Sequence, residues 1–588
     1  MGRLAVYLKP YRAAVLLAPL LMILEVCMDL LQPRLMASIV NNGIMEGDLS
    51  AIWATGMLMI GAAIIGLIGG FGCTVYSSKA ALGFGADLRL SLFRKVQTYS
   101  FDNLDRFSAG SLVTRLTGDV VQLQNMVQMS LRMFVRDISL TVGSIVMMFM
   151  LNARLALILV IIVPLLILIL VVLGRFAAPL FGRVQERLDK VNTVLQENLS
   201  GIRVVKAFVR ERFERSRFGR ANTDYLEMAL KAARTIALGM PLMMLVLNFG
   251  IVAVIWFGGI STWDSDFPVG NLAAFISYMT QMLFAMMALG MQLVMFSRAK
   301  ASADRVNEVL EEVPGIADRQ SAKDEIREGH GQKQESGLQG SITFDNVTFA
   351  YGKEEAAPVL KDITLHIRAG ETVGILGATG SGKTSLVSLI PRLYDVTEGA
   401  VLIDGVNVKD MDARQLRSRI GMVLQQAVLF TGTIRDNIRF GRPEATEEEV
   451  MEAARAAQAH DFIMKLPAGY DTELGQRGVN LSGGQKQRIS IARALILKPD
   501  ILILDDSTSA VDLTTEARIQ QALGRMMEGC TRVVIAQRIS SVEDADRIIV
   551  LENGALSAIG THDELMRTSS VYQEIYASQQ RKEAVSHG

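Results

Sequence analysis

The chain is 588 residues long, too many for one ordinary domain, and half of it is apolar, with a mean hydropathy of +0.30. Its 60 basic and 60 acidic residues cancel, which excludes the global positive field of a nucleic-acid binder. Cys27, Cys73 and Cys530 are too scattered for a metal cluster or a disulfide framework and fit a reducing compartment.

Taken in chain order, the N-terminal "MGRLAVYLKPYR" lacks the basic–apolar–small order of a cleaved signal. Val6 stands where myristoylation needs Ser or Thr. Apolar stretches then follow at roughly 13–38, 52–76, 137–153, 155–174, 235–260 and 272–296. The fourth, "LALILVIIVPLLILILVVLG", is uncharged over 20 residues and spans a hydrocarbon core of roughly 30 Å at about 1.5 Å per residue. Six spans are expected. Segments 41–51, 152–154 and 260–270 carry one basic residue, Arg154, whereas 79–136 and 174–234 carry 21. That asymmetry puts the second pair, and the N-terminus, on the cytoplasmic side. Each long inner segment reads as two helical extensions reversing at a short turn, near 100–110 and 197–208.

Residues 1–314 therefore read as an all-α membrane domain of six helices with long cytoplasmic extensions. Within it, Glu25 and Asp29 lie one turn apart on the first span. Carboxylates inside a membrane are costly and usually face a cavity or a partner. Arg34 is a candidate partner, and Arg132, Arg136 and Asp137 read as lying near the inner interface. Of 30 methionines, 23 lie in the first 300 residues. Met279, Met282, Met286 and Met287 follow helical spacing, which suits either plain core packing or an adaptable apolar surface. Glu25, Asp29, Met282 and Met286 are the candidate substrate-cavity residues.

Residues 315–339 are polar and aperiodic, a linker. From 340 to 578 the pattern becomes strands and then strand–loop–helix units, an α/β domain. Residues 579–588 form a polar tail. "GILGATGSGKTS" (374–385) places Gly377, Thr379, Gly380, Ser381, Gly382, Lys383, Thr384 and Ser385 between an apolar strand and a helix, the context a P-loop requires. Its N–H groups curl round phosphates, Lys383 bridges the outer phosphates, and Thr384 offers its hydroxyl to magnesium. Downstream, "ILILDD" supplies Asp505 at a strand end as the second magnesium ligand, followed by Asp506.

The segment "LSGGQKQR" (481–488), with the P-loop, six spans and one nucleotide domain, resembles an ABC exporter half-transporter over nearly the whole chain. The resemblance implies ATP and Mg2+ as cofactors and Tyr351 as the adenine-stacking residue. It makes Gln425 the Q-loop residue, which also reaches the metal, and Asp512 in "SAVD" the D-loop residue. Leu481, Ser482, Gly483, Gly484 and Gln485 become a signature that grips the ATP of a second half-transporter. The two inner turns become coupling helices. Soluble ATPases of DNA repair share the P-loop and signature, but six spans argue against them, and no nucleic-acid partner is expected.

Against the family pattern three positions depart. Asp506 stands where glutamate usually polarises the attacking water. Gln537 stands where a histidine is usual, and Gln476 where glutamate is more usual. Aspartate is shorter by one C–C bond, roughly 1.5 Å, and glutamine cannot carry the charge or proton of imidazole. The pattern resembles the degenerate-site subunit of heterodimeric bacterial multidrug exporters. It implies membrane lipid and amphiphilic small molecules as partners and the bacterial plasma membrane as location. A homodimeric lipid or peptide exporter and an ATP-gated regulatory subunit are the alternatives.

Overall fold

The computed structural model describes residues 2–263, 267–316, 339–352, 357–475, 478–509 and 511–586. Most of the expected linker, 317–338, and Gln476 lie outside the described residues. The chain divides into two compact units, Met1–Gln97 with Ala109–Glu312, and Thr98–Ser108 with Val313–Gly588.

In the first unit, six helices are long and apolar enough to cross a membrane: α1 (Gly2–Ile44), α2 (Leu49–Gln97), α4 (Ala109–Leu151), α5 (Ala153–Ser200), α7 (Glu211–Thr262) and α8 (Val269–Glu311). Short helices occupy both predicted inner turns, α3 (Phe101–Arg106) and α6 (Ile202–Ala207). The packing of α1 follows from its spacing. Ala14, Ala18, Met22, Val26 and Leu30 recur every four residues and are buried, while Leu16 and Leu20 on other faces are exposed. Ala18, Met22, Val26 and Leu30 share one buried cluster with Phe275, Tyr278, Met279, Met282 and Met286 of α8. The buried Tyr278 hydroxyl donates to the Leu30 carbonyl at 2.6 Å, which satisfies its one polar atom.

The second unit is built on a six-stranded sheet in the order β12–β11–β3–β10–β9–β6. Its strands are β3 (Thr372–Gly377), β6 (Ile420–Val423), β9 (Ile501–Asp505), β10 (Thr531–Ile535), β11 (Arg547–Glu552) and β12 (Ala555–Gly560). All pairings are parallel except β11 with β12. A parallel sheet covered on both faces needs continuous apolar strands, and "ILILD" of β9 is buried at every position. A second sheet, β2–β1–β4–β5, pairs β1 (Ile342–Phe349) with β2 (Leu360–Ile367) and β4 (Glu398–Ile403), and β4 with β5 (Val406–Asn407), all antiparallel.

Helix α3 belongs to this second unit. Ser100 and Asn103 form its capping box. The same two side chains accept the Gly315 amide at 3.2 and 3.1 Å, and Asn103 donates to the Val313 carbonyl at 3.1 Å. The polar residues from 579 onward extend the last helix, α12 (Ser570–Ser586).

Candidate nucleotide site

The loop after β3 starts from backbone geometry. Gly377 and Gly382 both have positive φ, +154° and +96°. A Cβ on Gly377 would lie 2.3 Å from the Leu551 carbonyl oxygen, and one on Gly382 would lie 2.7 Å from Leu360 Cδ2. Only glycine fits these two positions. Gly382 then caps α9 (Lys383–Leu389). Ala378, Thr379 and Gly380 form an exposed tip. Behind it the Ser381 hydroxyl is buried with no hydrogen-bond partner among the described residues. An orphaned hydroxyl costs about 1–3 kcal/mol, and a phosphate oxygen would satisfy it.

The Lys383 ammonium folds back and donates to the carbonyls of Gly377 and Ala378 at 2.9 and 2.8 Å. Burial lowers its pKa, partly offset by Asp505 and Asp506; a triphosphate would supply the missing negative charge. The Thr384 hydroxyl donates to Asp505 Oδ1 at 3.3 Å. Burial raises the Asp505 carboxyl, which is 2% exposed. A hydroxyl beside a buried carboxylate at a strand end is a hard oxygen pair suited to magnesium. Gln425 joins a different group.

That group centres on Asp506. Its φ of +47° lies in the left-handed region, which Asp tolerates better than most residues. Its amide donates to the Ile535 carbonyl at 3.0 Å, which fixes it across β10. Gln537 donates Nε2 to Asp506 Oδ2 at 2.7 Å, and Gln425 donates Nε2 to the same oxygen at 3.3 Å. Burial raises the Asp506 carboxyl and these amide bonds partly offset it. Two of the three residues that depart from the family pattern, Asp506 and Gln537, are thus bonded to each other.

Tyr351 is 39% exposed, and its hydroxyl lies 2.8 Å from the Ser385 hydroxyl. Its ring stands edge-on to Tyr394, with centroids 5.1 Å apart. Tyr394 donates to Asp105 Oδ2 of α3 at 2.8 Å, and Phe101 of α3 packs on its ring. Burial and the Asp105 bond both raise the Tyr394 phenol. One aromatic link therefore joins α3 to the adenine candidate. The sequence carried no signal for Tyr394, because the contact spans 289 residues.

The signature begins α10 (Gly483–Leu495). Ser482 caps it by accepting the Gln485 amide at 3.3 Å, and the Gln485 side chain accepts the Ser482 amide at 2.9 Å. Leu481 is buried while Ser482 and Gly483 are exposed. Among the described residues no hydrogen bond joins this stretch to the P-loop or to the Asp506 group. Asp512 caps α11 (Leu513–Met526) through the Thr515 amide at 2.9 Å. Sequence reasoning missed Glu516 on α11. It is 5% exposed and accepts the hydroxyls of Thr508 and Ser541, both at 2.6 Å.

In the first unit, Asp29 pairs with Arg136 at 3.6 Å, not with Arg34. Glu25 Oε2 is buried with no hydrogen-bond partner among the described residues. Asp137 is buried and accepts Gln292 Nε2 at 2.6 Å. Met282 and Met286 lie in the helix-packing core with Met243 and Phe275. A separate groove of about 650 Å3 runs between α5 and α7, lined by Leu168, Val172, Phe176 and Leu242, with Arg183 and Lys231 among its walls.

Residues 15–286 match the ABC transporter transmembrane region, and residues 360–509 match the ABC transporter nucleotide domain. The chain is 43% identical, over 97% of both chains, to an uncharacterized ABC transporter ATP-binding protein, YfiB, of Bacillus subtilis. It is 35% identical to the putative multidrug export ATP-binding/permease protein YgaD of the same organism, over 98% of this chain and 99% of that one. Its structure resembles that of a bacterial Atm1-family ABC exporter with ATP bound, with a TM-score of 0.79 and 26% identity, over 97% of this chain and 98% of that one.

Proposed function

The chain belongs to the ABC transporter family, as an exporter half-transporter coupling ATP hydrolysis to transport, and we propose that it is the hydrolytically impaired subunit of a heterodimeric multidrug exporter. ABC exporters act as dimers. In this reading the partner is a different half-transporter, with Glu and His where this chain has Asp506 and Gln537. This chain's own site binds ATP with Mg2+ through Ser381, Lys383, Thr384 and Asp505 and turns it over slowly. Its signature, Leu481–Gln485, completes the partner's site.

One observation carries the reading. The side-chain oxygen Oδ2 of Asp506, already on a shortened side chain, is held by two amides, Gln537 at 2.7 Å and Gln425 at 3.3 Å. An oxygen engaged in this way is poorly placed to draw a proton from water, whereas the parts that hold phosphate are intact. The exposed apolar tip beyond α6, where Phe208 is 73% exposed, supports a contact made with the partner chain. Two ATPs close the two nucleotide domains, and closure reorients the spans. Hydrolysis at the partner's site reopens them. The chain lies in the bacterial plasma membrane with its nucleotide domain and N-terminus in the cytoplasm, as the 21-to-1 basic asymmetry directs.

The test is native co-purification, followed by phosphate release and dye efflux in vesicles with and without the captured partner. A partner carrying Glu and His, and activity only in the pair, is the expected result. Full activity of the single species refutes the heterodimer. A second reading, export of acidic amphiphiles such as lipids, draws on the α5–α7 groove, because an apolar wall with two cations matches an acyl chain and an anionic headgroup. Stimulation by an acidic lipid, with no response to amphiphilic cations, would favour it.

A further inference from the structure

The segment 537–541 leaves β10 beside Asp506 and is gripped at both ends by side chains from other elements. At its far end, Ser541 donates to the buried Glu516. At its near end, Gln579 of α12 donates Nε2 to the Gln537 carbonyl at 2.7 Å and accepts the Ile539 amide on Oε1 at 2.9 Å. One primary amide therefore pairs with the main chain of two residues two apart, as a neighbouring strand would.

Gln579 is itself held in place. Tyr572, Ile575, Tyr576 and Gln579 fall at i, i+3, i+4 and i+7 and share one face of α12. Tyr572 is fully buried, and its hydroxyl lies 2.7 Å from His562 Nδ1. Ile575 and Tyr576 pack on the core of the nucleotide unit. The helix face that docks α12 thus ends in the amide that meets the Gln537 main chain.

We propose that Gln579 is a positioning residue of the nucleotide site: its amide fixes the main chain of Gln537 and so aims the Gln537 side chain at Asp506 and at the γ-phosphate of bound ATP. The proposal rests on the resemblance that puts Gln537 in the place of the usual histidine, and it takes the γ-phosphate of bound ATP as a second target of that side-chain amide. Among the described residues, the side chain of Gln579 bonds to the main chain of Gln537 and Ile539 and makes no hydrogen bond to Asp506. Without it, residues 537–539 lose two of the bonds that hold them, and the Gln537 amide no longer has one direction.

The test uses the full-length chain in lipid nanodiscs and the affinities of ADP and of the imido analogue of ATP, read by displacement of trinitrophenyl-ATP. Gln579→Met keeps length and helix propensity but has no amide. Its expected effect is a loss of about threefold to tenfold in affinity for the ATP analogue, the worth of one hydrogen bond. ADP affinity stays within about twofold of the unmodified chain. Gln537→Ala gives the same selective loss, and the double variant loses no more than the larger single one, because the two act in series. Gln579→Glu accepts from Ile539 but sets an anion against the Gln537 carbonyl, so it also loses selectively. Equal losses for both nucleotides, or additive losses in the double variant, overturn the positioning role even where Gln579→Met lowers thermal stability. A Gln537→Ala chain with no selective loss overturns the γ-phosphate reading itself, and the proposal with it.

Discussion

Reversing the departures at Asp506 and Gln537 should switch this chain's own site on. In the structure Asp506 offers one oxygen to two amide donors, at 2.7 and 3.3 Å. Asp506→Glu extends the carboxylate by roughly 1.5 Å. A displacement of about 1 Å from the productive position costs on the order of 10²-fold in rate, or about 2.7 kcal/mol at 1.36 kcal/mol per decade. The longer side chain alone is expected to recover less than tenfold, because the Gln537 amide still draws it sideways. Asp506→Glu with Gln537→His removes that donor and supplies an imidazole that carries charge or a proton. The double variant is expected to recover the full factor of about 10². The assay is phosphate release by the chain alone in lipid at saturating ATP and magnesium, with Lys383→Ala as the blank. If the unmodified chain already matches the double variant and Asp506→Asn silences it, Asp506 is a working base and the impaired-site argument is wrong.

Three further outcomes follow from the same structure. Tyr394→Phe removes the bond to Asp105 while keeping the ring contacts with Tyr351 and Phe101. Denaturation of the nucleotide unit should show a loss of about 1 kcal/mol, and no loss would mean that α3 is held without it. Glu371 is pushed up by burial, but its bonds from Arg547 outweigh this and leave its carboxyl below the ordinary value of 4.5. A lowered folded pKa contributes stability that is complete above that ordinary value and drains as pH falls through the lowered one. Glu371→Gln should therefore flatten the fall in melting temperature below about pH 4.5, and an unchanged slope would assign the acid loss to other groups. Phe208→Asp, at a side chain 73% exposed, should leave nucleotide binding intact and lower partner-stimulated ATP turnover by about tenfold. Unchanged stimulation would remove the tip beyond α6 from the contact with the partner.

Much of this architecture is local and so was written in the chain. Inside a bilayer an uncharged run such as 155–174 has to satisfy its backbone polar groups in its own hydrogen bonds, which makes it a helix. The P-loop is equally local, because the glycines that permit its conformation are neighbours of the Lys and Thr that use it. The short helices α3 and α6 fell where the long inner segments had to reverse.

Contacts between distant residues were not legible, because no periodicity encodes them. The pairing of Asp29 with Arg136 depends on where two helices cross, and burial of Met282 and Met286 depends on which helix covers α8. The bond between Asp506 and Gln537 arises because β9 and β10 pair in parallel with Asp505 opposite Ile535. Each substitution was visible in the sequence, but their mutual engagement was not. The links through Tyr394, Glu516 and Gln579 likewise exist only once strands and helices far apart in the chain are stacked. Residue types and their spacing determined which chemistry this protein holds. The tertiary packing, which brings together groups separated by tens to hundreds of residues, decided which of those groups remain free to act.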